Sequence, residues 1–320
     1  MSKSGQTTLV KLSDYISSEE LKALCQTSDL IGWYRVLVNY ALISLALLIL
    51  VTFPHWFTFI CCSWVIGGRI LGLAILNHDA GHNTLFRNQK LNQTVGRWFL
   101  GSLVFVDFQA FQQGHGQHHR FAGTDKDPDK IFVINYPATP ASMTRKLLRD
   151  VSGVNGVKEL AYQISVSNWH KRIPNLVMHG TMILFLYSIG ILWTYTAFWA
   201  AYIFVYPLLS RIRIMGEHGA VTDIDALDPR LNTRTTLAGP LTRLLISPNQ
   251  VNFHLEHHIH QNIPAHNLEK AHKLFKQRGM YDGFDCIANN YWQVLQKCIS
   301  KHFGKSNNAK HAPSSVSNLS

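Results

Sequence analysis

Two long stretches of the chain carry no charged side chain. One runs from Val36 to Gly68 between Arg35 and Arg69, the other from Ile173 to Ser210 between Arg172 and Arg211. At 33 and 38 residues, each exceeds the roughly 20 residues (about 17–25) that one helix needs to cross a bilayer, and each suits two crossings folded as a hairpin. The first stretch is interrupted at Phe53-Pro54-His55, where proline removes a backbone donor and favours a turn. The second is expected to turn near Trp193-Thr194-Tyr195, since aromatic side chains suit the membrane interface. The pattern predicts helices over about 36–53, 56–76, 175–193 and 196–212. A soluble α-protein that buries two helical hairpins is the alternative, but uncharged runs of this length are rare in soluble cores.

The remaining segments are shorter or more polar. Trp98 to Phe111 is apolar with Asp107 as its only charge, too short to span, and reads as an interfacial or re-entrant helix. Residues 1–35 form a cytoplasmic N-terminal segment without an apolar leader core, in which Ser17 and Glu20 fit a helix-capping box. The membrane domain is expected over 36–300. The Ser-, Asn- and Lys-rich segment 301–320 is expected to be disordered. Arg69, inside the second predicted helix, either faces a buried polar group or snorkels from a helix that outlasts the membrane; snorkelling is the expectation.

Charge sets orientation. Lys and Arg number 4 in residues 1–35, 12 in 77–174 and 13 in 211–320, and the two hairpin turns hold none. The positive-inside rule then places both termini and the long central segment in the cytoplasm. The net charge of +11 fits an anionic membrane surface or an acidic protein partner. Nucleic acid is excluded as a partner, because there is no zinc-finger spacing, RNA-binding signature or basic recognition helix. The five cysteines form no C-x-x-C pair and read as reduced structural thiols.

The candidate chemistry lies in the histidines. Nine of the seventeen fall in four places on the predicted cytoplasmic side: His78 and His82; His115, His118 and His119; His218; and His254, His257 and His258. On a helix, residues i, i+3 and i+4 share a face, so H-x-x-x-H presents two imidazoles together and H-x-x-H-H presents three. One tetrahedral zinc would use three or four ligands; eight or nine clustered imidazoles imply two metal ions. Imidazole suits zinc, copper, iron and nickel alike, so the spacing leaves the metal open. Asp79, Glu256 and, more weakly, Asn252 are candidates to accept the other ring N–H of a ligand and fix its tautomer, with solvated helix charge as the alternative for the two acids. His55, His179, His272 and His302 stand alone and read as capping, buried or surface residues; His260 and His266 follow the third cluster closely but are not assigned to it.

These motifs resemble those of the membrane fatty acid desaturase family, whose members carry three histidine boxes in this order and include desaturases, hydroxylases and carotenoid ketolases. The boxes are His78-Asp79-Ala80-Gly81-His82, His115 to His119 and His254 to His258, the first continued by Asn83-Thr84-Leu85-Phe86. The third is preceded by Ser247-Pro248-Asn249 and followed by His260-Gln261-Asn262-Ile263-Pro264. The resemblance covers roughly residues 36–270. It implies an all-α integral membrane protein with four transmembrane helices in two hairpins and a cytoplasmic helical cap holding a di-iron site. It implies His78, His82, His115, His118, His119, His254, His257 and His258 as iron ligands, with His218 matching a further ligand between the last span and the third box. Position 214 is Ile where the animal acyl-CoA desaturases carry asparagine, and the third box opens with His254, not with the Gln of front-end desaturases. The implied reaction uses two irons and dioxygen to desaturate or hydroxylate an acyl chain or related lipid, with electrons from a separate ferredoxin or cytochrome that a basic surface would help to dock.

The same site could serve ketolation, decarboxylation to an alkene or oxidation of a smaller amphiphile. A membrane zinc hydrolase, in which histidines and a carboxylate activate water, is a rival of another class. A metal-binding transporter is a third, though it calls for ionisable residues at mid-membrane depth, whereas these clusters lie beyond the span ends.

Overall fold

The computed structural model describes residues 10–166 and 168–299; the tail expected at 301–320 lies outside them. The first α-helix, α1 (Ser18–Leu24), starts from the capping box expected at Ser17 and Glu20. The Ser17 hydroxyl accepts from the Glu20 N–H at 3.2 Å, and the Glu20 carboxylate accepts from the Ser17 N–H at 2.8 Å. The first hairpin, α2 (Asp29–Thr52) and α3 (Trp56–Gly81), reverses at the expected proline. Both helices outrun the uncharged stretch. Ser28 caps α2 and so starts it at Asp29, while α3 continues past 76 to Gly81, which puts His78 and Asp79 on a helix packed into the core.

After α4 (Gln89–Val95) the structure corrects an expectation. No single helix covers Trp98–Phe111. A π-helical turn at Gly96–Leu100 gives way to turns, Phe105 takes φ +61°, and a new helix, α5 (Phe108–Phe121), begins. The cause is local: the Asp107 carboxylate accepts from the N–H groups of Gln109 and Ala110, so the one charge in the apolar run acts as a helix cap. Three helices follow, α6 (Lys130–Val133), α7 (Pro140–Val151) and α8 (Val154–Val166).

The second hairpin reverses earlier than expected. α9 (Ile173–Ser188) has 16 residues and ends before Gly190, which takes φ +75° and turns the chain ahead of Trp193. The return passes through α10 (Tyr195–Ala200), a π-helical turn and α11 (Tyr206–His218) as one stretch. Among the described residues three helical stretches are long and apolar enough to cross a bilayer: Ser18–Thr52, Trp56–Gly81 and Leu192–His218. At 16 residues, α9 spans only about 24 Å, against a hydrocarbon core of about 30 Å. Large apolar side chains such as Leu37, Leu48, Leu184 and Phe185 stand exposed on α2 and α9, the arrangement expected of a surface that meets lipid.

The last third is mostly short helices, α12 (Pro229–Asn232), α13 (Pro240–Leu245), α14 (His254–Ile259), α15 (Ala265–Gln277) and α16 (Tyr291–Cys298). Two two-residue strands, β1 (Thr235–Thr236) and β2 (Ile287–Ala288), pair in parallel among them. A buried cluster of Phe253, Leu255, Leu268, Phe275 and Met280 ties α14 and α15 together and reaches Leu24 of α1.

Around α3 the rest is organised: 67% of its most apolar part is buried, against 28% and 39% for the other two long stretches. Arg69 does not snorkel. It is buried, donating from Nη1 to the Asn39 side chain at 3.2 Å and from Nη2 to the Leu244 carbonyl, because α13 and α2 enclose it before it can reach water. One turn on, the segment just ahead of the third box is latched to the same helices. Asn249 donates to the Gly72 carbonyl at 2.8 Å, and Arg35 donates to the Asn249 carbonyl at 2.9 Å and the Gln250 side chain at 2.7 Å. The latch needs left-handed backbone at Asn249 (φ +56°) and Gln250 (φ +67°) and a bare Gly72, since a Cβ there would lie 2.1 Å from Asn39 Oδ1.

Candidate metal centre

The nine histidines meet at one place and sort into two groups. His78, His82, His115, His119 and His257 form one; His118, His218, His254 and His258 form the other. Their ring nitrogens converge. Nε2 of His119 lies 3.0 Å from that of His115 and 3.0 Å from that of His257. In the second group, Nε2 of His254 is 3.0 Å from that of His218 and 3.1 Å from that of His258, which is 3.3 Å from that of His118.

The boxes do not each serve one group. In both H-x-x-H-H boxes the i and i+4 imidazoles turn to one group and the middle imidazole to the other. His115 and His119 join the five while His118 joins the four; His254 and His258 join the four while His257 joins the five. One turn of α5 and one turn of α14 thus each straddle both groups.

Several histidines are held from behind. Nδ1 of His78 is 3.0 Å from Asp79 Oδ1. Nδ1 of His118 is 2.8 Å from Asp127 Oδ1, and Nδ1 of His218 is 3.0 Å from the Asn232 carbonyl. An acceptor at Nδ1 fixes the proton there and leaves Nε2 as a lone pair. Nε2 atoms about 3 Å apart need either one ring's N–H or a cation between them. The Nε2 atoms of His78 and His82 are also buried without a hydrogen-bond partner among the described residues, a costly state for a polar atom with no ion to bind. Burial, reinforced by the neighbouring imidazoles, holds His115, His254, His257 and His258 well below the usual histidine range and His119 down to about 2. These rings are therefore neutral at physiological pH, the form that binds metal. The donor set fits two metal ions of borderline softness.

Two expected supporting residues sit elsewhere. Glu256 meets none of the box imidazoles. It is fully buried and accepts from His272 Nδ1 at 2.6 Å, from the Tyr281 hydroxyl at 2.5 Å and from the Thr235 hydroxyl. Its position on α14 turns it away from the metal-facing side and toward α15 and β1, which also gives the lone His272 a partner. Asn252 is buried, and its amide meets no hydrogen-bond partner among the described residues. Asp127 and the Asn232 carbonyl were missed. The acidic run Asp125, Asp127, Asp129 just after the second box was the available signal for the former; a backbone carbonyl leaves none.

A cavity of about 870 Å³ opens beside the histidines, with His78, His115 and His118 in its wall, within the size range of small-molecule sites (about 300–1,000 Å³). Leu71, Ile75 and Ile214 give it an apolar lining, while Lys158, Glu159 and Gln163 of α8 add polar groups.

The family described as fatty acid desaturase matches residues 54–284. A dihydrorhizobitoxine desaturase of Bradyrhizobium elkanii is 27% identical over 252 residues, covering 68% of this chain and 70% of that protein. An sn-1 oleoyl-lipid 12-desaturase of Synechocystis is 23% identical over 83% of this chain and 81% of its own length. A chloroplastic omega-6 fatty acid desaturase of Brassica napus is 20% identical over 87% and 67%.

Proposed function

The chain belongs to the fatty acid desaturase family, and we propose that it is a dioxygen-dependent di-iron oxidoreductase that desaturates or hydroxylates an acyl chain or related lipid at the cytoplasmic membrane face. The observation that carries this reading is the convergence of nine imidazoles, in two groups, on the wall of a partly apolar cavity. In this reading α9 is the fourth membrane crossing, both termini and the histidines lie in the cytoplasm, and the short helices of the last third form a cap over the metals.

Two bound irons would supply the reductive activation of dioxygen that removes hydrogen from an unactivated C–H bond. The chain's own residues do the rest. Asp79, Asp127 and the Asn232 carbonyl hold the protons of His78, His118 and His218 on Nδ1, so that each Nε2 lone pair faces inward. Leu71, Ile75 and Ile214 keep water from the part of the cavity they line and hold a methylene chain near His78 and His115. Electrons come from a separate ferredoxin or cytochrome, and the product is an unsaturated or hydroxylated chain plus water.

A second reading, oxidation of a smaller amphiphile, is favoured by the polar side chains of α8 in the cavity wall and by the likeness to a dihydrorhizobitoxine desaturase. One experiment separates the two. The chain is expressed in a host with a ferredoxin system, with and without oxygen, and the host's lipids are read by mass spectrometry. New double bonds or hydroxyls that require oxygen support the lipid reading, and an unchanged lipid profile from an iron-loaded protein supports the amphiphile. Zinc as the native metal would overturn both.

A further inference from the structure

The two histidine groups differ in number by one, and a buried carboxylate borders the shorter one. Glu217 precedes His218 on α11 and is 2% exposed. Its Oε1 accepts from Arg213 Nε at 2.7 Å. Its Oε2 lies 3.6 Å from Nε2 of His254, only slightly more than the 3.0–3.3 Å that separates the imidazole nitrogens of that group from one another. Among the described residues nothing donates a hydrogen bond to Oε2, and Glu217 lines the cavity wall together with His118, His218 and His254. The Arg234 N–H also fixes the Glu217 backbone carbonyl at 2.8 Å.

A buried carboxylate with one oxygen paired and the other free, the free one facing His254 Nε2 beside a cluster of imidazoles, is in the arrangement of a metal donor. We propose that Glu217 is a carboxylate ligand of the metal held by His118, His218, His254 and His258. Arg213 then acts as a positioning residue, gripping the other carboxylate oxygen and turning Oε2 inward. The two metal positions become chemically unequal: five imidazoles at one, four imidazoles and an anionic oxygen at the other. The anionic donor favours the more highly charged state of its own metal, so the two positions would differ in redox behaviour. This inference rests on the two-iron reading above.

The test uses the full chain, loaded with iron-57 in detergent. Wild type, Glu217→Gln and Arg213→Gln are compared by Mössbauer spectroscopy and by the rate at which a chelator strips each iron, with melting curves to confirm folding. In wild type two unequal iron signals are expected. Glu217→Gln should change one of them and release that iron about 10-fold faster or more, the scale on which support for a metal site is lost, and leave the other iron unchanged. Arg213→Gln keeps the carboxylate and should retain both irons. Two irons in wild type with an indifferent Glu217→Gln overturn the inference alone. Arg213→Gln losing the same iron at the same rate also overturns it, because the ion pair would then be the whole role of Glu217. A wild-type protein that does not hold two irons overturns the di-iron reading itself, and this inference with it.

Discussion

The five-histidine group and the four-histidine group are built in different ways. Four of the five come as two helical pairs, His78 with His82 and His115 with His119, so most of that group follows from i, i+4 spacing on α3 and α5. The four-histidine group gathers one residue from α5, one from α11 and a pair from α14. Two of those four lean on groups remote in sequence from the metal-facing atoms: His118 on Asp127 and His218 on the Asn232 carbonyl. One position is written locally and the other is assembled by tertiary structure. The assembled one should therefore be the more easily disturbed.

The largest expected effect removes the imidazoles that cross between the groups. His118→Ala and His257→Ala should each bring turnover below detection. His118→Ala should abolish metal retention as well, since it leaves only three imidazoles at its position, while His257→Ala leaves four at the other. Metal analysis by mass spectrometry reads the difference, and equal loss in both variants would erase the asymmetry. A smaller effect is expected at Asp127→Asn, which weakens the hold on His118 Nδ1 without touching a metal-facing atom. Affinity at the four-histidine position should fall about 10–100-fold while the five-histidine position is unchanged, as read by competition with a chelator.

The smallest effect is on pH dependence and tests what the groups share. His115, His119, His254, His257 and His258 are held below the ordinary histidine value of 6.5 by burial first and by neighbouring imidazoles second. The unfolded chain gains protons at these positions as pH falls through about 6.5, and the folded chain does not. Stability of the metal-free protein should therefore decline on going from pH 7.5 to 5.5, by an amount visible as a lowered melting temperature. A melting temperature that stays flat over that interval would show the rings to be less buried than they are here.

Much of the site was legible because its information is local. H-x-x-x-H and H-x-x-H-H state which imidazoles share a helix face, and the long uncharged runs state where the hairpins lie. The partition of each box between the two groups was not legible, since the 3.6-residue period gives the angle between side chains but not what stands opposite them. Glu256 misled for the same reason: its place within the motif says nothing about facing away, toward His272, Tyr281 and Thr235. Arg69 was misjudged because its cover is supplied by Asn39 and Leu244, and the Leu244 carbonyl comes from a segment 175 residues on. The break inside Trp98–Phe111 could have been seen, because an aspartate that precedes a new helical run is a common cap.

The latch between Arg35, Gly72 and Asn249 gives the first and third boxes a common mount. His78 and His82 ride on the end of α3, and the chain enters the third box from a segment pinned to the same helix two turns earlier. A tilt of α3, such as a thicker or thinner bilayer imposes, therefore carries both boxes with it as one piece. The first and third boxes thereby keep their mutual alignment, and lipid composition is left to act on how deep the cavity mouth sits.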